Sequence, residues 1–236
     1  MTSIASRLKK YCSGHDREWY AARMEYMMGF LTEERVEVLR RTLNERTRYM
    51  TILTENTFHP QNASALVRHC EAFGLQDLHT VETVCKFSPN VNIVRGTDKW
   101  VDITRHPSTT EAISTLKAAG YRIVATTPHR ESCTPETFDV EKAPFCLVFG
   151  TEHAGVSDEI IEAADEYLRI PMCGMVESLN VSASAAILIY MLSQRMRLSP
   201  AIDWRLTGDE HQELLFRWVM SSVKDSERIL ERQFPL

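Results

Sequence analysis

The segment IPMCGMVESLNVSASAAILIY, Ile170–Tyr190, places Glu177, Ser178, Asn180, Ser182 and Ser184 after a glycine and directly before an apolar run. Serine and asparagine side chains satisfy the first amides of a helix, yet a helix needs one such cap. The surplus amides and hydroxyls suit a polar ligand held at a helix N-terminus, and Ala183, Ala185 and Ala186 let that helix pack closely on a sheet. A second polar group is ENTFHPQNASALVR, residues 55–68. On a helix, Asn62 and Arg68 are separated by about 600° of rotation and do not stack. They have an ordinary structural explanation as a helix cap and a surface ion-pair former. They also have a functional one: Arg68 offers a rigid guanidinium fork to a phosphate or ribose hydroxyl while Asn62 fixes neighbouring loops.

GTEHAG, residues 150–155, sets Glu152 between two glycines, which allows close backbone approach to a ligand or simply makes a turn. The sequence contains no G-x-G-x-x-G, no G-x-x-x-x-G-K-[ST] and no G-x-S-x-G, which argues against a Rossmann dinucleotide site, a nucleotide-triphosphate site and a hydrolase elbow. His59 and His153 read as solvated turn residues. The six cysteines form no C-x-x-C pair, so reduced cytoplasmic thiols are expected rather than disulfides, and no metal is expected.

These polar groups need a frame. MTILTEN, LHTVET, YRIVATT, FCLVFGTE and YLRIPM read as strands, alternating with helices that begin at His59-Pro60, Thr109 and Ser157 and one over NVSASAAILIYMLSQRMR. Such alternation predicts an α/β fold with a mostly parallel sheet covered by helices on both faces. In that arrangement ligands bind beyond the carboxyl ends of strands, where all four polar stretches fall: residues 55–68, TTPHRES, GTEHAGVS and CGMVESLNVS. Residues 89–108 are poorly patterned and read as a surface loop. Residues 17–48 read as two helices broken near Gly29–Thr32. Leu214, Leu215, Trp218, Val219 and Val223 share one stripe and predict a docked C-terminal helix. The expected division is a helical N-terminal extension at 1–48, a main domain at 49–198 and a helical C-terminal extension at 199–236.

The 236 residues carry a formal charge of -5, with 44% hydrophobic and 25% charged residues, values of an ordinary globular protein. The start lacks a continuous apolar leader and the longest apolar run, Ala185–Leu192, is too short to cross a bilayer, so neither export nor insertion is expected. An acidic total argues against a polyanionic partner, but the distribution matters more. Residues 1–49 carry ten Lys and Arg against seven Asp and Glu, and Arg35, Arg40, Arg41, Arg46 and Arg48 are candidates for a polyanion-facing surface. A solvated helix face with partners such as Glu37 and Arg41 accounts for the same pattern.

Taken in order, HPQNASALVRHCEAFG, LVFGTEHAGVS and IPMCGMVESLNVSASAAILIY resemble the three motifs of the SPOUT-class RNA ribose 2′-O-methyltransferases, TrmH branch. The resemblance runs from about Arg35 to Arg197. It implies a deep trefoil knot in the C-terminal part of the sheet, an exception to unknotted topology. It implies S-adenosylmethionine held by the knotted loops at Thr126, Gly150, Ile170, Met172 and Leu179. It gives Arg68 the central role at a ribose 2′-hydroxyl, with Asn62, Glu152, Ser178 and Asn180 around it. It further implies a homodimer with the active site at the subunit interface, no metal, and tRNA as substrate, modified at guanosine 18 of the D-loop. Two other readings stay open: a ribosomal RNA ribose methyltransferase, and a knotted RNA-binding protein without catalysis.

Overall fold

The computed structural model describes residues 4–128, 130, 132–151 and 154–235. The chain forms two compact units, Thr47–Trp204 and a smaller one made of Met1–Arg46 with Arg205–Leu236. Three helices open the smaller unit: α1 (Ile4–Cys12), α2 (Arg17–Met28) and α3 (Glu33–Leu43). Asp16 caps α2 by accepting from Trp19 N at 2.8 Å, and Thr32 caps α3 by accepting from Arg35 N at 3.2 Å, so the break at Gly29–Thr32 is the start of a new capped helix.

The larger unit follows as β1 (Met50–Glu55), α4 (Pro60–Ala72), β2 (Asp77–Val81), α5 (Val91–Val94), β3 (Asp102–His106), α6 (Thr109–Ala118), β4 (Arg122–Thr126), β5 (Phe145–Phe149), α7 (Asp158–Ala163), β6 (Glu166–Leu168) and α8 (Val181–Leu198). The six strands form one parallel sheet in the order β3-β2-β1-β5-β4-β6. Successive residues of a strand point to opposite faces, and the central strands show it. Ile52, Leu147 and Val124 join the core under α4 and α8, whereas Leu53, Val148 and Ala125 join the core under α6 and α7. The α/β expectation with both faces covered is what the molecule shows.

Several sequence expectations need correction. Residues 89–108 are not a loop: they contain α5, a 3-10 turn at Thr97–Lys99 and the edge strand β3. An edge strand keeps one side in solvent and tolerates charge, and DITRH accordingly lacks a run of apolar residues. The strand assigned to YLRIPM covers Glu166–Leu168, after which Ile170 and Met172 leave the sheet. Arg48 does not face a polyanion freely, because it pairs with Asp77 at 2.8 Å and Asp102 at 3.3 Å, tying the start of β1 to β2 and β3. The C-terminal stripe docks as expected on α9 (Gly208–Ser222), and a further helix, α10 (Ser226–Gln233), follows after Asp225 at φ 54.

These two helices complete the smaller unit. α9 begins with a capping box between Thr207 and Glu210 and buries Leu214, Leu215, Phe216, Trp218 and Val219 against α1, α2 and α3. Arg46 belongs to this core. It is 1% exposed and its guanidinium lies 5.0 Å from the centroid of the Trp218 ring, so it is withdrawn from any RNA-facing surface, whereas Arg40 and Arg41 remain exposed and Arg35 half-buried.

In the sheet unit, burial lowers the pKa of His69 and of His106 from the ordinary 6.5, with Glu111 pulling His106 the other way. His106 also shares a 3.0 Å hydrogen bond with His79, a bond that requires one of the two facing nitrogens to lack a proton. The unfolded chain therefore takes up protons at these sites at higher pH than the folded chain. Their stability contribution is complete above pH 6.5 and is lost as the pH falls toward the folded-state values. Urea midpoints should fall between pH 7.5 and 5.5, and His106→Gln should shrink that fall; an unchanged difference in the variant would contradict the assignment.

Among the described residues no helix is long and apolar enough to cross a membrane, and no group of His, Cys, Asp and Glu is arranged to hold a metal ion.

Candidate active site

The chain leaves the carboxyl ends of β4, β5 and β6 in three loops that enclose a cavity of about 420 Å³. Phe149, Leu168 and Leu188 give it an apolar floor, and Thr126, Thr127, Ser178 and Ser184 give it hydroxyl-bearing walls. The loop after β5 is closed by its own backbone: Thr151 N donates to Gly155 O at 2.8 Å, and Gly155 N donates back to Thr151 O at 3.1 Å. Gly150 sits under this closure. A Cβ there would lie 1.9 Å from the carbonyl carbon of Gly155 and 2.1 Å from Val156 N, so the backbone itself requires glycine. Thr126 Oγ1 donates to Val148 O at 2.7 Å, and Thr127 N donates to Leu168 O at 3.0 Å, fixing the loop after β4 to both neighbouring strands.

Thr126, Gly150, Ile170, Met172 and Leu179 all line this cavity, and so does Ser178. Arg130, Asp158, Arg169 and Glu177 line it as well, and sequence reasoning did not single them out as ligand contacts. Glu177 lay beside Ser178 in a stretch already rich in polar groups, and Arg130 lay in TTPHRES, so position after a strand was the available signal. Glu152 and His153 lie outside the described residues.

A different contact joins the remaining polar residues. The helix α4 begins at Pro60, with His59 in the cap position, so Asn62 is not the cap the sequence suggested. It stands in the first turn, 6% exposed, and its Oδ1 accepts from Asn180 Nδ2 at 3.2 Å. Asn180 is the cap of α8, where its Oδ1 accepts from Ser182 N at 2.9 Å and from Ser182 Oγ at 2.6 Å. One side chain therefore satisfies the helix terminus and binds the neighbouring helix. Ser178 and Ser184, on either side of it, are left to face the cavity.

Arg68 lies further along α4 on an exposed surface, and its Nη1 donates to Ile93 O on α5 at 3.0 Å. Arg68, Asn62 and Asn180 are not among the residues lining the cavity of their own chain. The apolar floor, hydroxyl walls and rim charges of both signs fit a ligand with a flat ring, a hydroxylated sugar and a zwitterionic tail. S-Adenosylmethionine has those three parts.

The sequence pattern described as the SpoU rRNA Methylase family matches residues 49–190. A tRNA (guanosine(18)-2′-O)-methyltransferase of Borreliella burgdorferi is 36% identical over 203 residues, 86% of this chain and 92% of the relative. The solved TrmH/SpoU tRNA modifying enzyme of Aquifex aeolicus superposes with a TM-score of 0.72 at 32% identity, covering 82% of this chain and 98% of that one. An AdoMet-bound rRNA methyltransferase from Sinorhizobium meliloti superposes with a TM-score of 0.57 at 28% identity, covering 68% of this chain and 61% of that one. With more than half its length matched by the family pattern and a relative covered almost end to end, the chain belongs to the SpoU rRNA methylase family.

Proposed function

We propose that this protein is a cytoplasmic S-adenosylmethionine-dependent methyltransferase that modifies the ribose 2′-oxygen of guanosine 18 in the D-loop of tRNA. The observation that carries the reading is the cavity formed by the loops after β4, β5 and β6, with all five residues assigned to the methyl donor on its walls. The relative named for guanosine 18 supports the substrate, since the likeness spans nearly its whole length.

Bound in this cavity, S-adenosylmethionine supplies an electrophilic methyl group on a sulfonium. The protein's own part is positioning, exclusion of water and handling of charge. Thr126, Gly150, Ile170, Met172 and Leu179 would hold the donor, chiefly through backbone groups. Arg68 is a poor proton acceptor, because a guanidinium keeps its proton with a pKa above about 12. Its role is to orient the ribose hydroxyl or an adjacent phosphate and to stabilise negative charge developing on the attacking oxygen. The motif resemblance assigns Asn62, Glu152, Ser178 and Asn180 to the reaction alongside Arg68, with the substrate phosphate assisting removal of the proton. Holding the ribose hydroxyl in one orientation beside the cavity would remove part of the entropic barrier in advance.

The reading includes a deep trefoil knot. In its support, β6 lies at the sheet edge beyond β4, while α8, which follows β6, packs against α4 after the chain has crossed back over the sheet. It also includes a homodimer in which Arg68 acts at the cavity of a second copy. Two facts favour this: Arg68 does not line its own chain's cavity, and α8 presents Ile187, Tyr190 and Leu198 outward, Tyr190 at 53% exposure. Tyr190→Glu is expected to yield monomers by light scattering, with methyl transfer lost and folding retained. Dimers at wild-type mass would contradict the interface.

Arg35, Arg40 and Arg41 of α3 are the tRNA-facing cations on this reading. Arg40→Ala with Arg41→Ala should weaken tRNA binding by about tenfold and reduce the salt dependence by about two counterions. Isothermal titration with S-adenosylhomocysteine tests the donor site itself: one site per chain is expected, and no heat of binding would overturn the assignment.

A further inference from the structure

Glu55, the last residue of β1, is 3% exposed yet carries a carboxylate. Its Oε1 accepts from Thr109 Oγ1 at 2.8 Å and from Ser157 Oγ at 2.8 Å, and its Oε2 accepts from Ser157 N at 2.9 Å. A carboxylate taken out of water is costly to keep without such donors, so the three bonds define where those donors must be. Thr109 opens α6, and Ser157 is the cap of α7, accepting from Ile160 N at 3.3 Å. The Ser157 contacts span 102 residues of chain.

The position of Ser157 gives this network its consequence. Ser157 ends the loop that leaves β5 at Gly150, and that loop lines the cavity through Gly150, Thr151, Ala154, Gly155 and Val156. The start of the loop is fixed by the fit of Gly150 beneath Gly155, and its far end is held from the adjacent central strand, whose Thr54 pairs with Phe149. Glu55 itself does not line the cavity.

We propose that Glu55 is a positioning residue of the donor pocket: by gripping Ser157 through both backbone and hydroxyl, it holds the 150–157 loop in its ligand-lining shape. The proposal rests on the cavity being the donor site. Thr109 supplies the control, since Thr109→Ala removes the α6 bond and leaves both Ser157 bonds in place. Glu55→Gln removes the charge and leaves one acceptor oxygen where the carboxylate offers two, so at least one of the three donors loses its acceptor.

The test compares amide hydrogen exchange of the unliganded protein and S-adenosylhomocysteine titration for wild type, Glu55→Gln and Thr109→Ala. Glu55→Gln is expected to speed exchange over residues 151–157 and to weaken S-adenosylhomocysteine by about tenfold or more. The KM for tRNA should stay within about twofold. Thr109→Ala should leave loop exchange and donor affinity unchanged even where it lowers the melting temperature. If Glu55→Gln does not fold, Glu55→Asp, one methylene shorter with the charge kept, carries the same comparison. Unaltered loop exchange in the Glu55 variant, or an equal change in the Thr109 variant, overturns the proposal. Altered loop exchange in a protein whose wild type takes up no S-adenosylhomocysteine supports the role of Glu55 and removes the donor reading of the cavity.

Discussion

Arg68→Ala should lower methyl transfer to tRNA by roughly a hundredfold to a thousandfold, the usual cost of deleting one preorganised group that stabilises developing oxyanion charge. The folded protein loses little. Arg68 is exposed and its bond to Ile93 O is a single hydrogen bond, so the unfolding free energy should change by about 1 kcal/mol or less. Binding of tRNA and of S-adenosylhomocysteine should largely survive. Arg68→Lys should recover only part of the rate, because a point charge does not reproduce a planar fork. Single-turnover rates with labelled donor, beside filter binding and thermal denaturation, separate the possibilities. Wild-type turnover in Arg68→Ala would remove this residue from the chemistry, and an RNA-binding wild type with no turnover would favour the non-catalytic reading.

Gly150→Ala should have an effect of similar size through a different cause. The added methyl would meet the Gly155 carbonyl at 1.9 Å, a contact with backbone that no side-chain rotation relieves. The 150–157 loop must shift or open, and overpacking of this kind costs about 1–3 kcal/mol or more. Donor affinity should fall by about a hundredfold, because the displaced atoms are the cavity wall itself. Gly174→Ala provides the comparison. A methyl group added at that glycine would have nothing within 4 Å, and Gly174 does not line the cavity, so its variant should bind S-adenosylhomocysteine as wild type does. Equal affinities for the Gly150 and Gly174 variants would refute the argument.

Particular residues show which parts of this architecture were legible in the sequence. The central strands β1, β4 and β5 were readable because burial on both faces leaves them short, apolar and β-branched. The edge strand β3 was not, since half-buried Thr104 and exposed Arg105 break the apolar pattern. The excess of amides and hydroxyls around Asn180 has more than one use in the fold: Asn180 serves both α8 and Asn62, and Ser178 and Ser184 face the cavity. The arginine series from Arg35 to Arg48 misled beyond the end of α3, because Arg46 lies over Trp218 from the far end of the chain and no local pattern announces such a partner. Glu55 was hidden for the same reason, its partners lying 54 and 102 residues along the chain.

The sheet also explains why the polar motifs lie far apart in sequence yet meet. β5 and β4 lie between β1 and β6 in space, so the loops after β4, β5 and β6 rise side by side while α4 starts from the neighbouring β1. The Asn62–Asn180 bond then joins the first turns of α4 and α8, bringing the segment that carries Arg68 against the one that lines the cavity.

The most direct test is to incubate the protein with unmodified tRNA and S-adenosylmethionine labelled in its methyl group, then map the modified nucleotide. The account predicts one methyl group on the ribose 2′-oxygen of guanosine 18. Label on a base, label in ribosomal RNA in preference to tRNA, or no transfer at all would contradict it.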